Sequence, residues 1–129
     1  MIGILIVSHG AFGESLIHSA SHVLGKRPLY LRQVGITVHD DPDAILPVAQ
    51  DLIRFLDQGA GVLVMTDIYG ATPSNIAARL LERGRVEGVA GVNLPMLIKA
   101  LTHRDGKLEE VVAIALAGAH EGVVRMDHA

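Results

Sequence analysis

The sequence predicts an α/β fold, a doubly wound three-layer sandwich around a parallel sheet of strand order 2-1-3-4, on three observations. Strand-like apolar runs alternate with helix-period stripes from one end of the chain to the other. The strands are almost continuously apolar, as expected where helices cover both faces of a parallel sheet. Short connections and right-handed crossovers then favour an order in which strands 1 and 3 are neighbours and the chain reverses direction between them.

Each element has its own signal. Ile2 to Val7 is a first strand, interrupted abruptly by Ser8-His9-Gly10. Leu16, Ile17, Ala20, Val23 and Leu24 form a helical stripe that Gly25 should terminate. Leu29 to Ile36 reads as the second strand. Ala44, Ile45, Val48, Ala49, Leu52, Ile53 and Leu56 give a second helix closing near Gly59. Pro47 lacks an amide donor, which predicts either a kink or a late helix start. Gly61 to Thr66 is the third and clearest strand, followed by a helix from Pro73 to about Arg83 with Ile76, Ala77, Leu80 and Leu81 inward. Val86 to Val92 is a fourth strand and Leu94 to His103 a short fourth helix. After the Asp105-Gly106 turn, a fifth helix from Leu108 to about His120 places Leu108, Val111, Val112, Ala115 and Leu116 on one face. Val123–Met126 remains as a short apolar segment, too isolated to be stable alone, and is expected to pair with a sheet edge. No linker, repeat or low-complexity tract divides the chain, so residues 1–129 read as one domain.

Composition narrows the function classes. A length of 129 residues is enough for one substantial core. With 50% hydrophobic but only 3% aromatic residues, that core must be built from Val, Ile, Leu and Ala. A net charge of −3 argues against a nucleic-acid partner. The absence of cysteine excludes disulfides, thiol catalysis and Cys-based zinc sites. The first apolar run is too short to span a membrane and no basic leader precedes it, so a soluble cytoplasmic protein is expected.

The candidate site follows from topology. In such a sheet, ligands and chemistry collect at the carboxyl ends of the strands, above the crevice at the switch point between strands 1 and 3. His9 closes strand 1 and Asp67 closes strand 3, so the two should face one crevice despite their distance in sequence. An ionised Asp67 could accept a hydrogen bond from one ring nitrogen of His9, leaving the other as a nucleophile. Thr72 reads as the N-cap of the helix that follows and Pro73 as its first residue, and such a helix start favours an anion, particularly phosphate. Other candidates have cheaper readings. His39-Asp40-Asp41 suggests an acidic helix start more readily than a metal site. His18 and His22 are spaced i, i+4 but lack the glutamate of a zinc-protease motif, so they are helix-surface residues and no metal is expected. Gly59-Ala-Gly61 precedes a strand and no phosphate-binding GxxxxGK[ST] loop exists, so no nucleotide cofactor is expected. Asn93 either caps the fourth helix or faces the crevice.

Three segments carry a family resemblance. Ile4-Leu-Ile-Val-Ser-His9-Gly10, Asp67-Ile-Tyr-Gly70-Ala-Thr72-Pro73-Ser-Asn75 and Gly91-Val-Asn93-Leu-Pro95-Met96-Leu97, with Glu121-Gly122-Val123 near the end, resemble the enzyme IIA domain of the mannose family of the bacterial sugar phosphotransferase system. The resemblance runs over essentially the whole chain. It implies that His9 is phosphorylated by the phosphocarrier HPr and passes the group to a IIB component for sugar uptake. It further implies that Asp67 orients the imidazole, and that Thr72 with the nearby amides of Gly70 and Ala71 contacts the phosphoryl oxygens. It implies a homodimer in which Val123–Met126 crosses to the partner's sheet as an antiparallel strand, and association with a membrane permease at most peripherally. Ala71-Thr72 stands where family members often carry Gly-Ser, a change that keeps the hydroxyl. No IIB domain follows in the sequence, which leaves two roles open: sugar uptake, or regulation through phosphorylation state alone.

Readings from other classes fit less well. A flavodoxin-like ligand-binding module would want a second aromatic near Tyr69 to sandwich a flavin. A receiver domain would want an acidic cluster where Ser8-His9 stands. A dihydroxyacetone-kinase phosphocarrier subunit shares the fold, but Thr72-Pro73-Ser74-Asn75 looks more like the mannose family.

Overall fold

Backbone alternation decides how this chain layers. The computed structural model describes residues 1–129. Its elements run β1 (Gly3–His9), α1 (Phe12–Leu24), β2 (Leu31–Ile36), α2 (Pro42–Leu56), β3 (Val62–Thr66), α3 (Thr72–Leu80), β4 (Val86–Ala90), α4 (Leu94–Thr102) and α5 (Leu108–Glu121). The four strands form one parallel sheet in the order β2-β1-β3-β4, as the sequence predicts.

Successive side chains of a strand point to opposite faces, so β1 feeds two cores at once. Ile4 and Ile6 pack with Leu63 and Met65 of β3 under α1, α4 and α5. Leu5 and Val7 pack with Val62 and Val64 under α2 and α3. Burying each such Ile, Leu or Val contributes about 1.5–3 kcal/mol relative to exposure, which is why the central strands carry almost no polar residue. The helices switch face after β2, where the chain crosses over β1 to reach β3. That reversal opens the crevice.

Several boundaries differ from the sequence reading. The second helix does not start late: it begins at Pro42 and runs through Pro47. The Asp43 carbonyl that loses the proline's missing amide belongs to the exposed first turn, where water can serve it. Ala44 and Val48 are exposed, and the inward face is Ile45, Ala49, Ile53 and Leu56 with Leu52. The third helix ends at Leu80, leaving Leu81 as a half-exposed C-cap, and Val23 and Leu116 also face outward. Strand β4 stops at Ala90 rather than Val92. Val123–Met126 forms no strand within the single chain, and Val123, Val124 and Met126 are among its most exposed apolar residues.

The end of the sheet remote from the crevice is tied by a residue that periodicity does not reveal. Arg104 is buried and donates from Nε to the Ile2 carbonyl (2.9 Å), from Nη1 to Leu29 (2.7 Å) and from Nη2 to Tyr30 (2.8 Å). These bonds hold the start of β1 against the approach to β2, where Tyr30 takes a left-handed conformation (φ 51°).

Candidate functional site

Strand register brings the two ends together. Val7 of β1 lies opposite Thr66, the last residue of β3, and one further step places Asp67 beside Ser8 and His9. The structure brings the two side chains together. Asp67 Oδ2 accepts from the His9 backbone N–H at 3.0 Å and lies 2.8 Å from the ring Nδ1. Its other oxygen accepts from the Ile68 N–H at 3.0 Å and the Thr66 hydroxyl at 3.4 Å. Burial pushes the Asp67 carboxyl up, but the bonds from the His9 amide and ring, and from Ile68, outweigh it and hold the group below its ordinary value.

That geometry assigns the protons on His9. An ionised carboxylate only accepts, so Nδ1 must be the donor and the lone pair of the neutral ring falls on Nε2. Nε2 makes no hydrogen bond, and the His9 side chain is 53% exposed while that of Asp67 is 14% exposed. The carboxylate is anchored and Nε2 is without a hydrogen-bond partner.

Gly70, Ala71 and Thr72 stand at the same end of the sheet, on the connection from β3 into α3. Gly70 has φ +88°, a left-handed conformation that a side chain would strain. The capping expectation needs correction: Ala71, not Thr72, is the N-cap, Thr72 is the first helical residue and Pro73 the second, and no side chain caps the helix. The physical reason is that the extended conformation falls on Ala71 (ψ 175°), so Thr72 has already turned into the helix. Its hydroxyl therefore has no cap bond to make and stands exposed. None of the three residues bonds to His9 or Asp67. Their shared property is an uncapped helix start whose first amides lack intrahelical acceptors, a setting that favours an anion.

The remaining candidates resolve into structural roles. Asn93 caps α4, its Oδ1 accepting from the Met96 N–H (2.9 Å) while its Nδ2 donates to the Ala119 carbonyl (3.2 Å). Asp41 caps α2 by accepting from the Asp43 N–H (3.0 Å), and Asp40 accepts from the Thr37 N–H (2.7 Å). His18, His22 and His39 are exposed, and no group of three or more His, Asp or Glu side chains converges to hold a metal. No helix is long and apolar enough to cross a membrane. Sequence reasoning missed the other side of the His9 turn, where the Gly10 N–H donates to the Ile36 carbonyl of β2 (2.9 Å). An isolated glycine inside a strand, Gly35, was the available signal of that close approach.

Comparison with known proteins agrees with the architecture. The family model described as "PTS system fructose IIA component" matches residues 3–116. The "PTS system mannose-specific EIIAB component" of Escherichia coli (strain K12) is 31% identical over 125 residues, covering 95% of this chain; the chain spans 38% of that protein's length. The "PTS system fructose-specific EIIA component" of Bacillus subtilis (strain 168) is 30% identical over 106 residues, covering 81% of this chain and 72% of the relative. Among solved structures, the phosphotransferase system component EIIA from Streptococcus agalactiae superposes with a TM-score of 0.86 at 25% identity, covering 97% of each chain. A IIA protein associated with the fucose utilization operon of Streptococcus pneumoniae superposes at 0.81 with 28% identity, covering 95% of this chain and 91% of that one.

Proposed function

Because the chain belongs to the family of phosphotransferase-system IIA components, we propose that it carries a phosphoryl group on His9, accepting it from the phosphocarrier HPr and passing it to a IIB component. The observation that carries this reading is the 2.8 Å pairing of His9 Nδ1 with Asp67, which places the lone pair of the neutral ring on Nε2 in a half-exposed side chain. The Nε2 lone pair attacks phosphorus of the donor's phosphohistidine. The donor's P–N bond breaks and its electron pair returns to the donor ring. The His9 ring becomes cationic as the new N–P bond forms, and Asp67 stabilises that charge without taking the proton. Thr72 and the amides of Gly70 and Ala71 meet the phosphoryl oxygens. The second transfer runs the same steps outward, with the IIB nucleophile attacking and the pair returning to Nε2.

Incubation with enzyme I, HPr and phosphoenolpyruvate tests this directly. One acid-labile, base-stable phosphoryl group per chain is expected, with none on His9→Ala. Label on His120 or His39 instead overturns the assignment.

The same reading includes a homodimer. Strand β4 is an edge that Glu82 bridges at Val86, and the exposed Val123, Val124 and Met126 pair with no strand of their own chain. A tail pairing with the partner's sheet would cover both. Light scattering should give a dimer at micromolar concentration and a monomer after removal of residues 122–129; a truncated protein that still dimerises rules out strand exchange.

A further inference from the structure

The turn that carries His9 is gripped from two sides. On the β3 side the grip is Asp67. On the β2 side the Gly10 N–H bonds to Ile36, and the Gly10 carbonyl lies so close to Gly35 that a Cβ there would stand 2.0 Å from its oxygen and 3.1 Å from its carbon. The first turn of α1 is seated just as closely. A Cβ on Gly13 would fall 3.0 Å from Ser8 Oγ, 3.1 Å from Gln33 Cβ and 3.2 Å from Gln33 Oε1. Ser8 is fully buried, and its Oγ and the Gln33 Oε1 have no hydrogen-bond partner. The layer beneath the turn therefore holds it by backbone contact and steric fit, with no hydrogen bond from Ser8 Oγ or Gln33 Oε1.

We propose that Gly35, with Gly13, forms the seat that positions His9: the missing side chain at 35 lets the Gly10 carbonyl lie on β2, and that placement sets the ring against Asp67. A methyl group at 35 overlaps backbone rather than a flexible side-chain end, so the turn itself must move. Because the His9 amide and ring share one oxygen of Asp67, moving the turn disturbs both bonds together. Gly35 and Gly13 touch no reacting atom; they act through His9. Their role in phosphoryl transfer rests on the function proposed above, whereas their effect on the His9–Asp67 pair does not.

The test separates these two levels. Ring ¹⁵N shifts of His9 at neutral pH should report one tautomer, protonated at Nδ1, in the wild type and a mixture in Gly35→Ala. Transfer from phosphorylated HPr to Gly35→Ala should be slower by about ten- to a hundredfold in kcat with KM unchanged, the scale expected for a misplaced reacting group. Adding Asp67→Asn to Gly35→Ala should then cost much less than it costs alone. Gly3→Ala is the control, since its Cβ would meet the Leu56 carbonyl oxygen at 2.4 Å, also an overlap with backbone, at the opposite end of β1. It should lower stability without changing tautomer or rate. A wild-type tautomer in Gly35→Ala, or the same tautomer change in Gly3→Ala, overturns the proposal. Should Gly35→Ala fail to fold, the milder Gly13→Ala carries the same expectation at smaller size and the same refutation. A wild-type protein that shows the Nδ1–H tautomer but takes up no phosphoryl group defeats the proposed function, and the ring spectra of the variants still decide the seat.

Discussion

Two aspartates flank β3, alike in exposure and in the direction of their carboxyl shifts but different in partner. Asp57 precedes the strand and Asp67 follows it; each side chain is 14% exposed, and each carboxyl lies below its ordinary value. Each is saturated with hydrogen bonds. Asp57 accepts from the Gly59 and Gly61 N–H groups (2.9 and 3.2 Å) and from Arg85 Nε (3.0 Å). The difference lies in the partner. Arg85 is permanently charged and has no lone pair to offer, so Asp57 can only fasten the turn leading into β3. His9 can exchange a proton, and its half-exposed ring stands at the carboxyl ends of the strands with a second nitrogen free of hydrogen bonds. A lowered carboxyl and partial burial therefore do not by themselves mark a functional site. What marks it is a partner able to change its bonding, placed where the sheet opens.

Substitutions can break this comparison in order of expected effect. Asp67→Asn should slow phosphoryl transfer by on the order of 10²–10³, equivalent to about 2–4 kcal/mol of transition-state stabilisation. Some transfer should persist because the carboxylate forms no covalent bond. Rapid-quench transfer from phosphorylated HPr measures it, and a variant as fast as wild type would reduce Asp67 to a structural cap like Asp57.

Asp57→Asn should do the reverse. It leaves Arg85 Nε facing an amide NH2 in place of the oxygen that accepts from it, while the remaining oxygen can still accept from both turn amides, at a cost of about 1–3 kcal/mol in urea unfolding, and transfer should proceed at the wild-type rate. A loss of transfer larger than the loss of folded protein would mean that the two ends of β3 are coupled.

The smallest effect sharpens the comparison through pH. Both carboxyls are lowered in the folded state, so both contribute stability that is complete above the ordinary value of 3.8 and is lost as pH falls through the folded value. The acid limb should accordingly steepen below about pH 4 and flatten in either variant. At Asp57 the largest influence is the Gly59 amide, which lowers the carboxyl, followed by Arg85; at Asp67 it is burial, which opposes the bonds. Acid titrations of the two variants followed by circular dichroism would contradict this if either limb stayed as steep as in the wild type.

Much of the site was legible before any coordinates. Alternating periodicities placed His9 and Asp67 at strand ends, and the crossover rules made those strands neighbours; packing of the two strand ends then set the 2.8 Å contact. Asp57 was invisible because nothing local distinguishes an acid at a helix end that will meet Arg85 across the fold from one that will stay in water. The N-cap was misassigned because Ala71 and Thr72 differ by one residue, and backbone dihedrals rather than side-chain preference decide which of them is the last extended one. The exposed Val48 and Leu116 show a related limit: period 3.6 gives the direction of a side chain around its helix but not how much of that helix its neighbours cover.

The sequence by itself determined the order and type of the elements, the parallel sheet and the residues able to do chemistry. These depend on repeat and residue type, which are properties of a short stretch of chain. Only the tertiary structure decided that Arg104 would bind three carbonyls from Ile2, Leu29 and Tyr30, that Pro47 would be carried inside α2, and that the Gly10 carbonyl would rest on Gly35. Those outcomes depend on distances between segments that meet only after the layers have packed. No local pattern encodes such a distance, because close packing is a property of the assembled neighbours rather than of either strand or helix alone.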